Sequence, residues 1–267
     1  MKTYKELVEN APILEFDTDN ASQAKEYFFK QGKKNFEDFN KVMELGIDKC
    51  IIFFPRSFND CKAIYNKCVK IHEFKSASSI SPIYLYNNEL VIALCPLGGP
   101  AAANLVEELS FVGLRKFIAV GSCGCLTNSI SLTSLFIPEK AIRDEGLSYH
   151  YMPASRTVDI DAHMQMLLEK ACKKHAISYT KGIVWTIDAI YRETPNRTER
   201  RKKEGAVAVE MECASLAAVA KYNHLQFAEL LYFTDIVGAT KWEWRRYNKV
   251  TLRTKLLEIC IDALRKA

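Results

Sequence analysis

Long apolar runs are absent from this 267-residue sequence. No segment reaches the roughly 18 consecutive apolar residues that a membrane-spanning helix requires. Residues 1–6 carry charges without an apolar run behind them, which differs from the pattern of a secretory leader. Both absences argue against a membrane or secreted protein, and we expect a cytoplasmic protein with no membrane partner.

Cysteine pairs with a recognisable spacing are also absent. The nine cysteines are an odd number, and most lie inside apolar runs such as residues 49–52. Such positions suit reduced thiols that fill a core better than a disulfide framework. Cys123 and Cys125, like Cys61 and Cys68, lack the spacing and the partner residues of a zinc site. We therefore expect no metal and no bound cofactor.

A dense basic stripe is missing too. The formal net charge is +5, from 37 basic and 32 acidic residues. The one basic concentration, residues 197–203, contains a glutamate and no aromatic residue. Nucleic-acid surfaces usually combine denser positive charge with interleaved aromatic side chains. We interpret this run as a solvated turn or helix face and expect no nucleic-acid partner.

Linker-like stretches and internal repeats are likewise missing. Apolar runs typical of buried strands, such as residues 50–54 and 116–120, alternate with amphipathic helix patterns such as residues 101–112. This alternation predicts one α/β domain over residues 1–267, a three-layer arrangement with a mixed central β-sheet flanked by helices. Residues 1–50 fit least well, and we expect them to form an N-terminal extension that packs on this domain.

The same patterns predict several further elements. They are a helix from Asn20 to about Lys41, a helix after residues 55–57, a hairpin of residues 83–86 and 89–94 with a turn at Asn87-Asn88, a strand at 227–233, and helices at 161–176 and 249–266.

Polar or glycine-rich clusters follow four predicted strands, which is where open α/β sheets place their sites. Residues 121–124 (Gly-Ser-Cys-Gly) offer close backbone approach and free amides for an anion such as phosphate, although a plain tight turn is the commoner interpretation. Gly98 and Gly99 allow the same two interpretations, and the turn is favoured there. Asp235 is either a general acid or a cap for the next turn, and in isolation the cap is favoured.

The fourth cluster is residues 209–214 (Val-Glu-Met-Glu-Cys-Ala), between an apolar β-prone run and a helix-like run at 215–220. It predicts a buried strand whose end delivers two carboxylates to the top of a helix. Carboxylates in apolar surroundings are costly unless they meet donors, a cation or a ligand. Taken locally, either one glutamate caps the helix while the other is solvated, or the pair forms a site.

The combination of these clusters favours a site. A carboxylate on Glu212 can bind both hydroxyls of a ribose, and Met211 offers an apolar wall to the sugar. An anion site at residues 121–124 can hold a nucleophile, and Asp235 can protonate a leaving base. Cleavage of an N-glycosidic bond needs these parts, because the ribose becomes cation-like while the base leaves with negative charge.

In these motifs the chain resembles the nucleoside phosphorylase superfamily, which includes purine nucleoside phosphorylases, uridine phosphorylases and methylthioadenosine/adenosylhomocysteine nucleosidases. The resemblance rests on residues 97–102 (Leu-Gly-Gly-Pro-Ala-Ala), 120–124, 209–214 and Thr234-Asp235, in matching order over roughly residues 90–260. It implies a phosphorylase-like fold, a pentosyltransferase activity and a homo-oligomer, either a dimer, a trimer or a hexamer.

The resemblance also implies roles for individual residues. Met211 and Glu212 match the ribose-binding pair, and Asp235 matches the acid that assists purine departure. Ser122, with Gly121, matches the phosphate-contacting part of the glycine stretch. Ile190 matches a position that packs on the base, and we add Val209 to this base-binding set.

Two departures concern the phosphate. Ala119 stands where phosphorylases of this family usually have an arginine, and residues 54–57 (Phe-Pro-Arg-Ser) replace a Gly-Asp-Pro-x-Arg loop. A lost cation removes charge-assisted hydrogen bonds worth about 1.5–3 kcal/mol each. Either another arginine binds phosphate, with Arg56, Arg143 and Arg192 as candidates and Arg56 and Arg192 as our assignment, or phosphate is not the nucleophile.

Three functions follow as expectations. The first is phosphorolysis of a ribonucleoside, with purine favoured and uridine possible, in which inorganic phosphate is the co-substrate and the products are free base and ribose 1-phosphate. The second is a hydrolytic nucleosidase that uses water, which Ala119 motivates. The third is a regulatory relative that binds nucleosides without turnover; the presence of both Glu212 and Asp235 speaks against it.

Overall fold

The computed structural model describes residues 11–19, 22–27, 36–54, 58–77, 79–127, 130–131, 133–237, 242–244 and 249–267. The strands are β1 (Lys49–Phe53), β2 (Cys68–Lys75), β3 (Ile80–Tyr86), β4 (Leu90–Leu94), β5 (Lys116–Cys125), β6 (Leu135–Asp144), β7 (Thr157–Asp159), β8 (Tyr179–Ile187), β9 (Ala206–Glu210), β10 (Gln226–Val237) and β11 (Trp242–Trp244). The helices are α1 (Asn40–Glu44), α2 (Lys62–Tyr65), α3 (Gly99–Phe111), α4 (Ser148–Tyr151), α5 (Ala162–Lys174), α6 (Pro195–Lys203), α7 (Cys213–Tyr222) and α8 (Lys249–Leu264). Short 3₁₀ turns lie at Pro12–Leu14, Glu37–Phe39, Phe58–Asp60 and Ile190–Arg192.

Within the described residues, these strands form one mixed sheet, as the alternation of patterns predicted. Part of it closes on itself: β5 pairs with β10, β10 with β6, β6 with β8, β8 with β9, and β9 again with β5. From this ring the sheet continues outward through β1, β4, β3 and β2. The closure places the carboxyl-terminal parts of β5 and β10 beside the end of β9, where the candidate site residues lie.

Helices cover both faces of the sheet, which confirms the three layers. Helices α3, α4 and α7 pack together on one face, and α2, α5 and α8 pack together on the other. The main core lies between these layers and includes the fully buried strand residues Cys50, Ile51, Ile52 and Phe53. A second, smaller core lies between the strands of the ring and is built around Trp185 and Val209.

Several local predictions are confirmed. Asn87 and Asn88 both have positive φ (48° and 59°), the conformation of a two-residue hairpin turn, and they join β3 to β4. Helix α3 buries Leu105, Val106 and Leu109, which belong to the predicted apolar stripe. None of the described helices combines the length and the apolar character needed to cross a membrane.

Two predicted elements are wrong in their extent. After residues 55–57 the chain forms only a 3₁₀ turn and the one-turn helix α2, followed by strand β2, which the sequence patterns did not predict. Its residues are half-buried or exposed and include charged side chains, so no apolar run marks the strand. In the N-terminal region, residues 23–27 are helical. A 3₁₀ turn and α1 form a separate helical unit at 37–44. Asn20, the predicted start of the helix, lies outside the described residues.

Part of the N-terminal region packs on the sheet domain. The Lys25 amine donates to the Asn223 side chain (2.7 Å) and lies 3.2 Å from a carboxylate oxygen of Glu107. These contacts join residues 22–27 to helices α3 and α7. The assignment of residues 1–267 to a single domain stays a prediction.

Candidate active site

The strand β9 ends at Glu210 and helix α7 begins at Cys213, as predicted, so both acids lie at the top of a helix. Glu210 Oε2 accepts hydrogen bonds from the backbone amides of Glu212 (2.5 Å) and Cys213 (2.7 Å). Its other oxygen accepts one from the Thr186 hydroxyl (2.5 Å). Glu210 therefore uses its carboxylate to cap the helix, and Glu212 is the acid left for a ligand.

The Glu212 carboxylate is buried, with 6% of the residue exposed, and one oxygen accepts a hydrogen bond from the Gly98 amide (2.6 Å). Gly98 has φ +101°, a conformation that favours glycine. At Gly99 a Cβ would lie only 2.3 Å from the Ser215 hydroxyl oxygen, so only glycine fits. The two glycines, for which the sequence favoured a plain turn, are thus the backbone that holds Glu212.

A third buried acid, Glu229, lies beside this motif and was missed by the sequence patterns. It lies within β10, is 1% exposed and is in register with Ala119 of β5. Its Oε2 has no hydrogen-bond partner among the described residues. The Cys213 thiol donates a hydrogen bond to the carboxyl group. Burial raises the pKa of Glu210, of Glu212 and, well above the usual range, of Glu229. Repulsion from Glu210 adds to the pKa increase of Glu212 and of Glu229.

The free energy of unfolding should depend on pH through Glu229. In the unfolded chain this acid ionises near its ordinary pKa of 4.5, whereas burial keeps it protonated in the folded state. The folded state then binds more protons above pH 4.5, so its stability falls as pH rises. We expect Glu229→Gln to remove this loss, so the variant's stability relative to the parent increases between about pH 5 and about pH 8 in urea unfolding.

Glu169 offers a control of opposite sign. A hydrogen bond from Lys181 lowers the pKa of Glu169, so its contribution to stability is present at neutral pH and is lost as pH falls. Glu169→Gln should therefore lose stability relative to the parent as pH rises. A Glu229→Gln effect that stays constant across the pH range would contradict a buried, protonated Glu229.

Asp235 lies within β10, rather than at a strand end as predicted, because β10 extends to Val237. It is 8% exposed, and the Thr234 hydroxyl donates to its Oδ1 (2.5 Å). Gly124 is in register with both Asp235 and Val209. A Cβ at Gly124 would lie 3.3 Å from Asp235 Oδ2 and 2.7 Å from a Val237 methyl, so glycine makes room for this packing. The ring thus brings Asp235 close to the strand that leads into Glu212.

The glycine stretch is not a loop. Strand β5 continues to Cys125, and residues 121–124 pair with β10. Ser122 alone in this stretch is exposed, between buried neighbours. At Gly121 a Cβ would lie 3.3 Å from Leu231 and 3.5 Å from Phe54, which shows how closely these segments approach. The predicted anion-binding loop is therefore part of strand β5, and it exposes the side chain of Ser122.

The three candidate arginines have different surroundings. Arg143 is buried, and its guanidinium donates to the hydroxyls of Ser148 (2.8 Å) and Ser155 (2.6 Å) and to the carbonyls of Met152 and Pro153. These bonds occupy four of its five N–H donors, which disfavours Arg143 as a phosphate ligand. Arg192 ends the 3₁₀ turn and is exposed, and Arg56 lies outside the described residues.

The base-binding candidates also differ. Val209 is buried in the small core, whereas Ile190 is 54% exposed on the 3₁₀ turn that follows β8. Glu193 follows this turn and is half-buried; burial, with the nearby charge of Asp235, raises its pKa to about 7. The turn therefore faces the part of the ring that carries Asp235, and Ile190 is open for contact with a ligand.

A cavity of about 920 Å³ opens next to the site, between the β2–β3 hairpin and the start of α3. Its inner lining includes Phe54, Cys95 and Leu97, which border the glycine stretch and the Gly98 turn. Burial, with the nearby charge of Glu212, raises the pKa of Cys95. The cavity therefore adjoins the candidate site without including the predicted residues that the structure describes.

The fold and the site define an α/β protein in which a closed ring of strands brings a helix-top carboxylate and a second acid close together. A family model for the phosphorylase superfamily matches residues 51–262. The chain belongs to this superfamily, which confirms the resemblance seen in the motifs.

Curated relatives agree with this membership at modest identity. A guanosine phosphorylase of Halorubrum lacusprofundi is 28% identical over 138 residues, 52% of this chain and 57% of the relative. A uridine phosphorylase of Thermococcus kodakarensis is 33% identical over 95 residues, 36% of this chain and 34% of the relative. A DeoD-type 1 purine nucleoside phosphorylase of Shewanella oneidensis is 30% identical over 145 residues, 52% of this chain and 60% of the relative. The matches span less than two thirds of each of these relatives.

Proposed function

We propose that this protein cleaves the N-glycosidic bond of a ribonucleoside by phosphorolysis, with a purine nucleoside favoured and uridine as the other candidate. The observation that carries the proposal is that Gly124 is in register with both Asp235 and Val209. This register brings a buried acid to the strand that leads into Glu212. The names of the similar proteins, which include guanosine, uridine and purine nucleoside phosphorylases, support a nucleoside substrate.

The proposed chemistry assigns a role to each part of the site. Glu212, oriented by the Gly98 amide, accepts hydrogen bonds from the 2′ and 3′ hydroxyls, and Met211 packs on the sugar. The bond between C1′ and the base nitrogen breaks, its electron pair moves to the base, and the ribose becomes cation-like. A phosphate oxygen then bonds to C1′ while Asp235 gives a proton to the base, which leaves ribose 1-phosphate and neutral base.

Hydrolysis is the second candidate, because Ala119 is fully buried and provides no cation at the position where relatives usually have an arginine. Water would then attack C1′ and free ribose would appear. We further propose a homo-oligomer that works in a reducing cytoplasm. Its nine cysteines are all free, as suits that compartment.

One assay separates the candidates. The protein is incubated with inosine, guanosine, adenosine and uridine, each with and without inorganic phosphate, and the sugar product is identified. Phosphorolysis predicts base release that requires phosphate and yields ribose 1-phosphate. Release of free ribose without phosphate would show hydrolysis and overturn the phosphorolysis proposal. Nucleoside binding without any base release would indicate a regulatory protein.

A further inference from the structure

The α8 face of the sheet holds three polar side chains that the sequence did not connect. Ser122 of β5 and Tyr232 of β10 are in register in a parallel pair, so their side chains lie next to each other on the same face. Adjacent strands are about 4.8 Å apart. The Nε and Nη2 atoms of Arg253, from helix α8, each donate to the Tyr232 hydroxyl at 3.4 Å. Arg253 therefore stands over the strand pair that presents Ser122.

The guanidinium of Arg253 is half-buried. Among the residues that the structure describes, no carboxylate lies within the 4 Å of an ion pair, and the hydrogen bonds of Arg253 go to the Tyr232 hydroxyl. A guanidinium has five N–H donors. A partly desolvated cation with unused donors is costly unless an anion binds to it.

The neighbours of Arg253 point to the same place. Its positive charge acts on Cys61, which directly follows the 3₁₀ turn Phe58–Asp60. Arg253 thus lies between Tyr232 and the end of this 3₁₀ turn, and Phe54 approaches Gly121. The Ser122 side chain is exposed, and its hydroxyl makes no hydrogen bond within the described part of the chain. Within the described residues, a cation without a carboxylate partner and a hydroxyl without a hydrogen bond therefore border the same face of the β5–β10 strand pair.

We infer that Arg253, held by the Tyr232 hydroxyl, is the cation that binds inorganic phosphate together with Ser122. This assignment rests on the proposed function in taking phosphate as the co-substrate. Helix α8 then provides the charge that Ala119 cannot provide from β5, while four of the five donors of Arg143 are already used.

The kinetic test is the dependence of phosphorolysis on phosphate concentration. We expect Arg253→Gln to raise the KM for phosphate at least about tenfold while the KM for the nucleoside stays within about threefold, because only the phosphate loses a charge-assisted bond. Arg253→Lys keeps the charge but loses the planar guanidinium. Its KM for phosphate should lie between those of the parent and of Arg253→Gln. The control is Arg265→Gln on the same helix, where the guanidinium pairs with Glu89, and it should leave both KM values unchanged.

A second measurement needs no turnover. Inorganic phosphate alone should raise the Tm of the parent and of Arg265→Gln, and should fail to raise that of Arg253→Gln. An equal phosphate-dependent shift in Arg253→Gln, or an unchanged KM for phosphate, would overturn the assignment while the proposed phosphorolysis stands. If the parent instead releases ribose without phosphate, the proposed function fails, and the thermal shift still decides whether Arg253 binds the anion.

Discussion

Replacing Asp235 by asparagine is expected to slow the cleavage of inosine by about 10²- to 10⁴-fold in kcat, while inosine affinity changes little. This range is the usual contribution of a positioned general acid. The isosteric amide keeps the volume of a side chain that packs against Gly124 and accepts from Thr234, but it has no proton to give to the leaving base. Single-turnover base release and equilibrium binding of inosine measure the two quantities separately.

A substrate with an activated base provides the control for Asp235. A purine nucleoside methylated at N7 already carries a positive charge on the base, so its departure needs no proton. We expect Asp235→Asn to cleave it at nearly the parent rate. A parallel loss with both substrates would show that Asp235 supports the site without acting as the acid.

Replacing Glu212 by alanine is expected to lower kcat/KM for ribonucleosides by about 10²- to 10⁴-fold. Each hydrogen bond to a charged group is worth about 1.5–3 kcal/mol, and two ribose hydroxyls lose theirs together. Because both bonds exist before and during the reaction, affinity and turnover should fall together. Steady-state kinetics and equilibrium binding on the same preparation test this expectation.

The sugar hydroxyls provide the matched comparison for Glu212. A 2′,3′-dideoxynucleoside has no hydroxyls for the carboxylate, so the discrimination between ribose and dideoxyribose should largely disappear in Glu212→Ala. Glu258→Ala, which removes an acid paired with Lys255 on helix α8, should retain this discrimination. If Glu212→Ala still prefers the ribonucleoside as strongly as the parent does, another group binds the hydroxyls. Thermal unfolding of both variants checks that the buried substitution leaves the fold intact.

The predictions that succeeded depend on interactions between residues close together in the chain. The Asn87-Asn88 turn requires positive φ at two neighbouring positions, and the pattern of residues 206–220 marks a buried strand followed by a helix. Both can be recognised without knowing what packs on them. Strand β2 was missed for the corresponding reason, since its half-buried, charged residues give no local pattern.

Residue patterns alone predicted the α/β class, the superfamily, and the two acids that we propose for the ribose and the base. How these groups meet depends on the tertiary structure. The register of Gly124 with Asp235 and Val209 comes from the closed ring, and the approach of Arg253 to Tyr232 comes from the packing of helix α8. Such contacts join residues far apart in the chain. Periodicity reports only which side of a segment is apolar, so it cannot show which distant side chain covers it.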